Sequence, residues 1–150
     1  MKIRTEIAEA EEVVIRCRER NDKIRSLESA IEEALRGENE IVLTSGGTDY
    51  FIPKINILFF ESSEGKVYAH TRDKVYVAPY KLFELENLMP PSFVRVSKSV
   101  IANVAEISYL HREIVGNGEL GFRNCDKKVW FSRAYFKLLQ YKMEEMRLKK

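Results

Sequence analysis

The chain has few of the residues on which redox, metal and covalent chemistry depend. Its 150 residues include two cysteines and two histidines. Cys17 and Cys125 lie far apart without ligand-type neighbours, so we expect ordinary thiols rather than a disulfide or a zinc site. His70 and His111 also lack a cysteine or carboxylate at metal-ligand spacing. We therefore predict no metal, no cofactor, no small-molecule substrate and no enzymatic activity.

Long apolar runs are also missing. No segment approaches the ~18 apolar residues that indicate a membrane span, and residues 1–6 lack the core of a signal peptide. We therefore expect a cytoplasmic protein. The apolar content of 45% and the charged content of 32% suit a soluble folded chain, and its length allows one core with a small appendage.

Charge is divided unevenly along the chain. Residues 1–45 contain 8 Lys/Arg and 11 Asp/Glu, a net charge of −3, whereas residues 46–150 contain 17 Lys/Arg and 12 Asp/Glu, a net charge of +5. A basic segment beside an acidic one is compatible with binding of the later part to a polyanion. Because many charged surfaces are only solvated, this bias permits nucleic-acid binding without specifying it.

Residues 1–39 are predicted to form a β-β-α appendage. Residues 1–7 alternate apolar and polar side chains, and residues 12–17 are a second β-branched run. Asp22 is the expected N-cap of a helix that extends to Arg36, and Gly37 offers a C-terminal stop. The apolar stripe of this helix is expected to cover the two strands. The alternative is a surface for dimerisation or for docking of a partner.

From Glu40 the patterns indicate mostly strands, separated by Gly-rich and Asp/Asn-containing turns. A short leucine-rich helix ends before Pro90 and Pro91, and Ser132 is expected to cap a C-terminal helix. The predicted strands are residues 41–44, 49–52, 57–61, 66–71, 74–77, 93–96, 104–111, 120–122 and 128–131. A single helical turn is expected at residues 54–56.

The most informative segment is residues 93–103 (FVRVSKSVIAN). A strand-like start leads into Ser97, Lys98 and Ser99, and a short apolar turn then ends at Asn103. Hydroxyls, a cation and an amide at such a junction suit contacts to phosphates and base edges. The segment contains no pairing of a nucleophile with a base.

Together with residues 57–63 (ILFFESS) and 129–135 (VWFSRAY), this segment resembles the LytTR family of bacterial DNA-binding domains. The similar part runs from about residue 40 to residue 139. The resemblance rests on the order and spacing of the pieces, including the family's Ser and Asn positions at Ser99 and Asn103 and its closing Ser-Arg step at Ser132 and Arg133.

The resemblance implies a mainly β fold with short helices, an elongated LytTR-like arrangement of small antiparallel sheets spanning residues 40–150. It also implies a transcription regulator that binds double-stranded DNA at repeated half-sites, with loops that enter successive major grooves. Such a protein is expected to act as a homodimer. The DNA-contact candidates carried over by position are Lys66, Arg95, Ser97, Lys98, Ser99 and Arg133.

These candidates have different expected roles. Arg133 follows the expected N-cap Ser132 and can reach a phosphate or a guanine, while Lys98 can neutralise a phosphate. Arg95 either points outward to a phosphate or pairs with a carboxylate, and Asn103 is expected to satisfy backbone groups. The family often has a His-Arg pair where this chain has Ser97 and Lys98. Since lysine lacks the planar fork of arginine, the resemblance implies no particular operator.

Many LytTR proteins begin with a phosphate-accepting receiver domain, which does not fit within residues 1–39. Regulation by aspartyl phosphorylation in those residues is therefore not expected. Some family members without a receiver are linked to small membrane proteins, which suggests a regulatory partner of that kind. The alternative function is a protein-interaction module that kept the fold but regulates a membrane or protein partner with little DNA binding.

Overall fold

The computed structural model of the protein describes residues 1–9 and 12–148. The chain divides into two compact units, Met1–Arg36 and Gly37–Lys150. The predicted boundary at residue 40 lies near this division. Whether the first unit serves dimerisation or partner binding stays a prediction.

The two strands predicted in the first unit are wrong. Residues 1–9 and 12–21 are outside any helix or strand, and they are followed by helix α1 (Asp22–Asn39). A two-stranded ribbon is only marginally stable by itself. The apolar side chains Ile3 and Ile7 of residues 1–9 are not buried, since Ile3 is 98% exposed and Ile7 is 104% exposed.

Helix α1 begins and ends differently from the prediction. The Asn21 side-chain oxygen accepts a hydrogen bond from the Ile24 amide at 3.0 Å, so Asn21 rather than Asp22 caps the helix. Asp22 instead stands in the first turn, where a negative charge is favourable. The helix continues through Gly37, which costs only about 1 kcal/mol relative to alanine.

The second unit is mainly β, as predicted. Helix α2 spans Leu82–Leu88, helix α3 spans Phe136–Leu148, and single turns of 3-10 helix occupy Lys54–Asn56, Val104–Glu106 and Arg133–Tyr135. The strands in the described residues are β1 (Glu40–Ser45), β2 (Thr48–Pro53), β3 (Phe59–Ser63), β4 (Lys66–His70), β5 (Val75–Ala78), β6 (Phe93–Ser97), β7 (Val100–Asn103), β8 (Ile107–Arg112), β9 (Gly118–Phe122) and β10 (Lys128–Phe131).

These strands form two antiparallel sheets. The larger has the order β2-β1-β5-β4-β3-β7-β6, and the smaller has the order β10-β9-β8. In the larger sheet β3 joins two hairpins, because it pairs with β4 on one side and with β7 on the other. Strand β6 is one of the two edges of this sheet, and its register with β7 shifts between Arg95 and Ser97, which leaves Val96 as a bulge.

The centre of the larger sheet is covered on both faces. Phe60 belongs to a core on the side of α2, whereas the adjacent Phe59 belongs to a core with the smaller sheet and α3. Neighbouring residues of a strand point to opposite faces. Strands covered on both sides therefore read as unbroken apolar runs, which explains the sequence of residues 57–60.

Residues 100–103 form strand β7, so the short apolar turn predicted there is wrong. A brief, fully buried strand and a helical turn have the same apolar signature in sequence. Asn103 has the structural role expected of it. Its amide nitrogen donates to the Ile57 carbonyl at 3.2 Å, and its oxygen accepts from the Ala105 amide at 3.2 Å, which opens the following 3-10 helix.

A stack of rings and a lysine join the two sheets. The Phe59 ring lies 4.2 Å from the His70 ring and 5.3 Å from the Phe122 ring, measured between centroids. The Lys127 ammonium donates to the Thr71 carbonyl at 2.7 Å and lies 3.4 Å from His70 Nδ1. Burial, and then the nearby Lys127 charge, lowers the pKa of His70 from 6.5 to about 4.

We predict that Gly118→Ala destabilises the second unit by roughly 1–3 kcal/mol or more, because the added methyl overpacks a filled site. A Cβ at this position would lie 2.1 Å from the His111 carbonyl oxygen and 2.4 Å from Phe131 Cζ. Urea unfolding measures the change. Gly121→Ala is the matched control, since the three atoms nearest to its Cβ all belong to the ring of Tyr109, an exposed side chain that can move. Equal losses in both variants would contradict this reading.

We predict that His70 makes stability depend on pH between 6.5 and about 4. Its pKa is lower when folded, so the unfolded chain binds more protons and the free energy of unfolding falls as pH decreases through this window. His70→Phe should reduce that fall in urea titrations at several pH values. His111→Gln, at an exposed histidine, is the matched control. An unaltered slope in His70→Phe would refute the prediction.

Candidate nucleic-acid interface

Two hairpin turns lie side by side at one end of the larger sheet. Glu64 and Gly65 connect β3 to β4 with φ values of 51° and 80°, the positive values that suit a tight two-residue hairpin. Lys98 and Ser99 connect β6 to β7. The Ser62 amide donates to the Ser99 carbonyl at 2.8 Å, which holds the two turns against each other.

The third predicted contact segment reaches the same end. The Ser132 amide donates to the Val96 carbonyl at 2.9 Å, at the bulge of β6. The Arg133 amide donates to the Asn117 side-chain oxygen at 2.8 Å. Gly116, with φ of 99°, leaves room for the Arg133 side chain, because a Cβ there would lie 2.9 Å from Arg133 Cγ.

We define the loop-end surface as residues Ser62–Lys66, Ser97–Ser99 and Ser132–Arg133. It carries three exposed cations, Lys66, Lys98 and Arg133. None of these side chains has an ion-pair partner among residues 1–9 and 12–148. Some other cations of the second unit are neutralised locally, as Lys128 is by Glu119 at 2.9 Å. The loop-end surface is therefore equipped to attract phosphate.

The two serines of the β6–β7 turn are placed differently. The Ser97 hydroxyl oxygen accepts a hydrogen bond from the Ser99 amide at 3.3 Å, so it supports the turn itself. Ser97 is half-buried, whereas Ser99 is exposed. A serine in this position shapes the backbone while its neighbour Lys98 extends into solvent.

Arg95 is turned away from the other candidates. Its Nε lies 3.2 Å from Glu86 Oε1 of helix α2, and its side chain is 21% exposed. This is the second of the two arrangements considered from the sequence, a pairing with a carboxylate. The contact is an ion pair without hydrogen-bond geometry, and the buried Nε has no hydrogen-bond partner in the described residues.

The sequence reasoning did not select Trp130, which stands beside the loop-end surface. Its side chain is 61% exposed although both neighbours, Val129 and Phe131, are buried. Trp130 shares a shallow concavity with Ser97, Ser99 and other residues. The available signal was alternation, because a large aromatic residue between two core positions of a strand must face outward.

Asn117 was also overlooked. The sequence of residues 116–118 (GNG) is typical of a turn, yet the Asn117 side chain holds the Arg133 backbone and lines the same concavity as Trp130. Its partner is 16 residues distant in sequence. No local pattern marks such a contact, since it depends on β9 and β10 being neighbours.

The profile of the LytTr DNA-binding domain matches residues 47–144. The chain belongs to the LytTR family. LytTR domains bind double-stranded DNA in bacterial transcription regulators, so the family assigns this chain to DNA-binding regulators rather than to a class of enzymes. Each segment of the loop-end surface lies within the matched residues. No match was found among curated proteins.

The fold of a solved LytTR domain agrees with this assignment. The chain is similar to the LytTr DNA-binding domain of a methyl-accepting/DNA response regulator from Bacillus cereus, with a TM-score of 0.65 and 23% sequence identity. The similarity covers 70% of this chain and 96% of that domain. Within the described residues, no helix is both long and apolar enough to cross a membrane.

Proposed function

We propose that this LytTR protein is a sequence-specific transcription regulator whose loop-end surface contacts successive major grooves. The observation that carries this proposal is the meeting of three separate chain segments, with three unneutralised cations, at one end of the larger sheet. A protein that follows a duplex needs cations to fix its register on phosphates and side chains to read base edges.

The proposed contacts divide by side-chain chemistry. Arg133 reads a base, because its guanidinium can donate two hydrogen bonds to guanine and its backbone is anchored by Asn117. Lys98 and Lys66 neutralise phosphates from the tips of adjacent hairpins. Ser99 contributes a hydroxyl to the same strand of DNA, and Ser97 keeps the turn in shape.

Arg95 contributes indirectly in this proposal. Its ion pair with Glu86 connects β6 to helix α2, which orients the strand that leads into Ser97. The protein is proposed to bind repeated half-sites as a cytoplasmic homodimer, with the Met1–Arg36 unit available for dimerisation.

A second candidate is a protein-interaction module that regulates a small membrane protein or another partner. It is favoured by apolar side chains that the first unit leaves exposed, among them Val13 at 59% and Leu35 at 44%. Partner capture without site-specific DNA binding would support this candidate.

Selection from random duplex DNA, followed by binding across a salt series, tests the leading proposal. Enrichment of a spaced, repeated motif is expected, and the spacing would report how the protomers are arranged. The affinity should fall with salt with a logarithmic slope of about 0.9 for each phosphate contact. No enrichment, with only weak salt-sensitive binding, would favour the interaction module.

We predict that Arg133→Ala and Lys98→Ala weaken binding in different ways. Arg133→Ala should cost roughly 1–3 kcal/mol and relax the preference at one base position, whereas Lys98→Ala should weaken all sequences about equally and reduce the salt slope by about 1. Competition binding with single-base variants of the selected site measures both. Lys74→Ala, in the turn at the other end of β4, is the control. Equal loss of discrimination in the first two variants would refute this division.

We predict that binding of the selected duplex changes the fluorescence of Trp130, the single tryptophan of the chain. DNA seated on the loop-end surface would cover this ring, which is now 61% exposed. Trp130→Ala should weaken binding, because the exposed ring would lose its apolar contact with groups such as thymine methyls in the major groove. Trp130→Phe, which keeps an aromatic face, should recover part of the loss. Unchanged fluorescence on saturation with DNA would place the contact elsewhere.

A further inference from the structure

The segment of residues 12–17 behaves as a strand that lacks a partner. Its alternate side chains Val13, Ile15 and Cys17 line a groove shared with residues of α1, including Ile24. Ile24 is buried, but Val13 remains 59% exposed. One side of the segment therefore packs on the helix, and the core between them is only half closed.

The backbone of the same segment has no ladder hydrogen bonds among the described residues. Its sequence, with three consecutive β-branched residues at positions 13–15, is nevertheless strongly strand-forming. A β-branched segment that is supported by a helix and has free backbone edges is an acceptor for a further strand.

One pairing of this segment with residues 2–6 of its own chain is electrostatically unfavourable. Lys2 and Glu6 share a hollow with Glu12 and Arg16. The antiparallel register that would place Val14 opposite Arg4 also places Lys2 opposite Arg16 and Glu6 opposite Glu12. Like charges directly opposite each other destabilise a strand pair.

We propose that residues 12–16 pair antiparallel with the same residues of a second copy of this chain, about a two-fold axis at Val14. This register places Glu12 opposite Arg16 twice and Val13 opposite Ile15 twice. It is self-complementary in both charge and shape, as an isologous interface requires. The two α1 helices then cover the same face of the new ribbon, which supplies the packing that an isolated ribbon lacks.

This inference deepens the homodimer of the proposed function by naming its interface. It is independent of where DNA binds, because it concerns only residues of the Met1–Arg36 unit.

Cysteine cross-linking of the full chain tests the register. In a Cys17→Ser/Cys125→Ser background, Val14→Cys should form a covalent dimer on mild oxidation, since residues opposite each other have Cα atoms about 4.5–5.5 Å apart. Val13→Cys is the matched control. Its Cα would lie about 8 Å from its copy, beyond the ~7 Å limit for a disulfide. Cross-linking of Val13→Cys instead of Val14→Cys, or of neither, would overturn the proposal.

Charge reversal tests the same pairing in solution without cysteines. Arg16→Glu places two carboxylates opposite each other at both ends of the ribbon and should raise the dimer dissociation constant roughly tenfold in sedimentation equilibrium. The double variant Glu12→Arg/Arg16→Glu restores both pairs and should restore the dimer. Lys23→Glu, an exposed change of the same charge on α1, should have little effect. A chain that stays monomeric throughout the series, or an Arg16→Glu dimer of unchanged affinity, would refute the interface.

The DNA measurements separate this inference from the proposed function. If dimerisation responds to these variants but the selection enriches no DNA motif, the proposed interface is supported and the proposed function as a transcription regulator is rejected. If the chain binds DNA site-specifically but none of these variants changes its dimerisation, the proposed function is supported and the proposed interface is rejected.

Discussion

Two backbone hydrogen bonds at one end of the larger sheet hold the DNA-contact candidates together. One joins Ser62 to the Ser99 carbonyl, and the other joins Ser132 to the Val96 carbonyl. Both donors and acceptors are main-chain groups, so the arrangement tolerates changes in the side chains that face the ligand. The segments they connect are distant in sequence.

These two hydrogen bonds fix the positions of the contact segments because the strands that they extend belong to a rigid sheet. Strands β3 and β7 are paired with each other and covered on both faces, with Phe60 directed toward α2 and Phe59 toward the smaller sheet. Interiors of this kind are close-packed, so strand ends keep fixed relative positions. The bulge at Val96 and the turn glycine Gly116 are local departures from regular structure, and each of them adjoins the contact segments.

Prediction from sequence succeeded where a pattern is local. Alternation, turn residues and apolar runs identified most strands of the second unit, and the spacing of residues 57–63, 93–103 and 129–135 pointed to the LytTR family. Prediction from sequence failed where the conformation of a segment depends on pairing with another strand. Residues 1–7 and 12–17 have strand-forming sequences but gain no ladder within the described chain. Residues 100–103 became a strand because β3 and β6 lie on either side of them.

The sequence by itself determined the family, the mainly β class and the type of side chain available for binding. Only the tertiary structure decided which of those side chains are free. Arg95 and Lys98 are equally cationic and stand three residues apart, yet Arg95 meets Glu86 of α2 while Lys98 has solvent around it. Alternation predicts that Trp130 faces outward, but only the tertiary structure places it in one concavity with Ser97 and Ser99. The physical reason is that the residue type alone fixes whether a side chain is charged or apolar. The neighbouring residues determine whether that charge is neutralised and whether the side chain is exposed, and the tertiary structure determines which residues are neighbours.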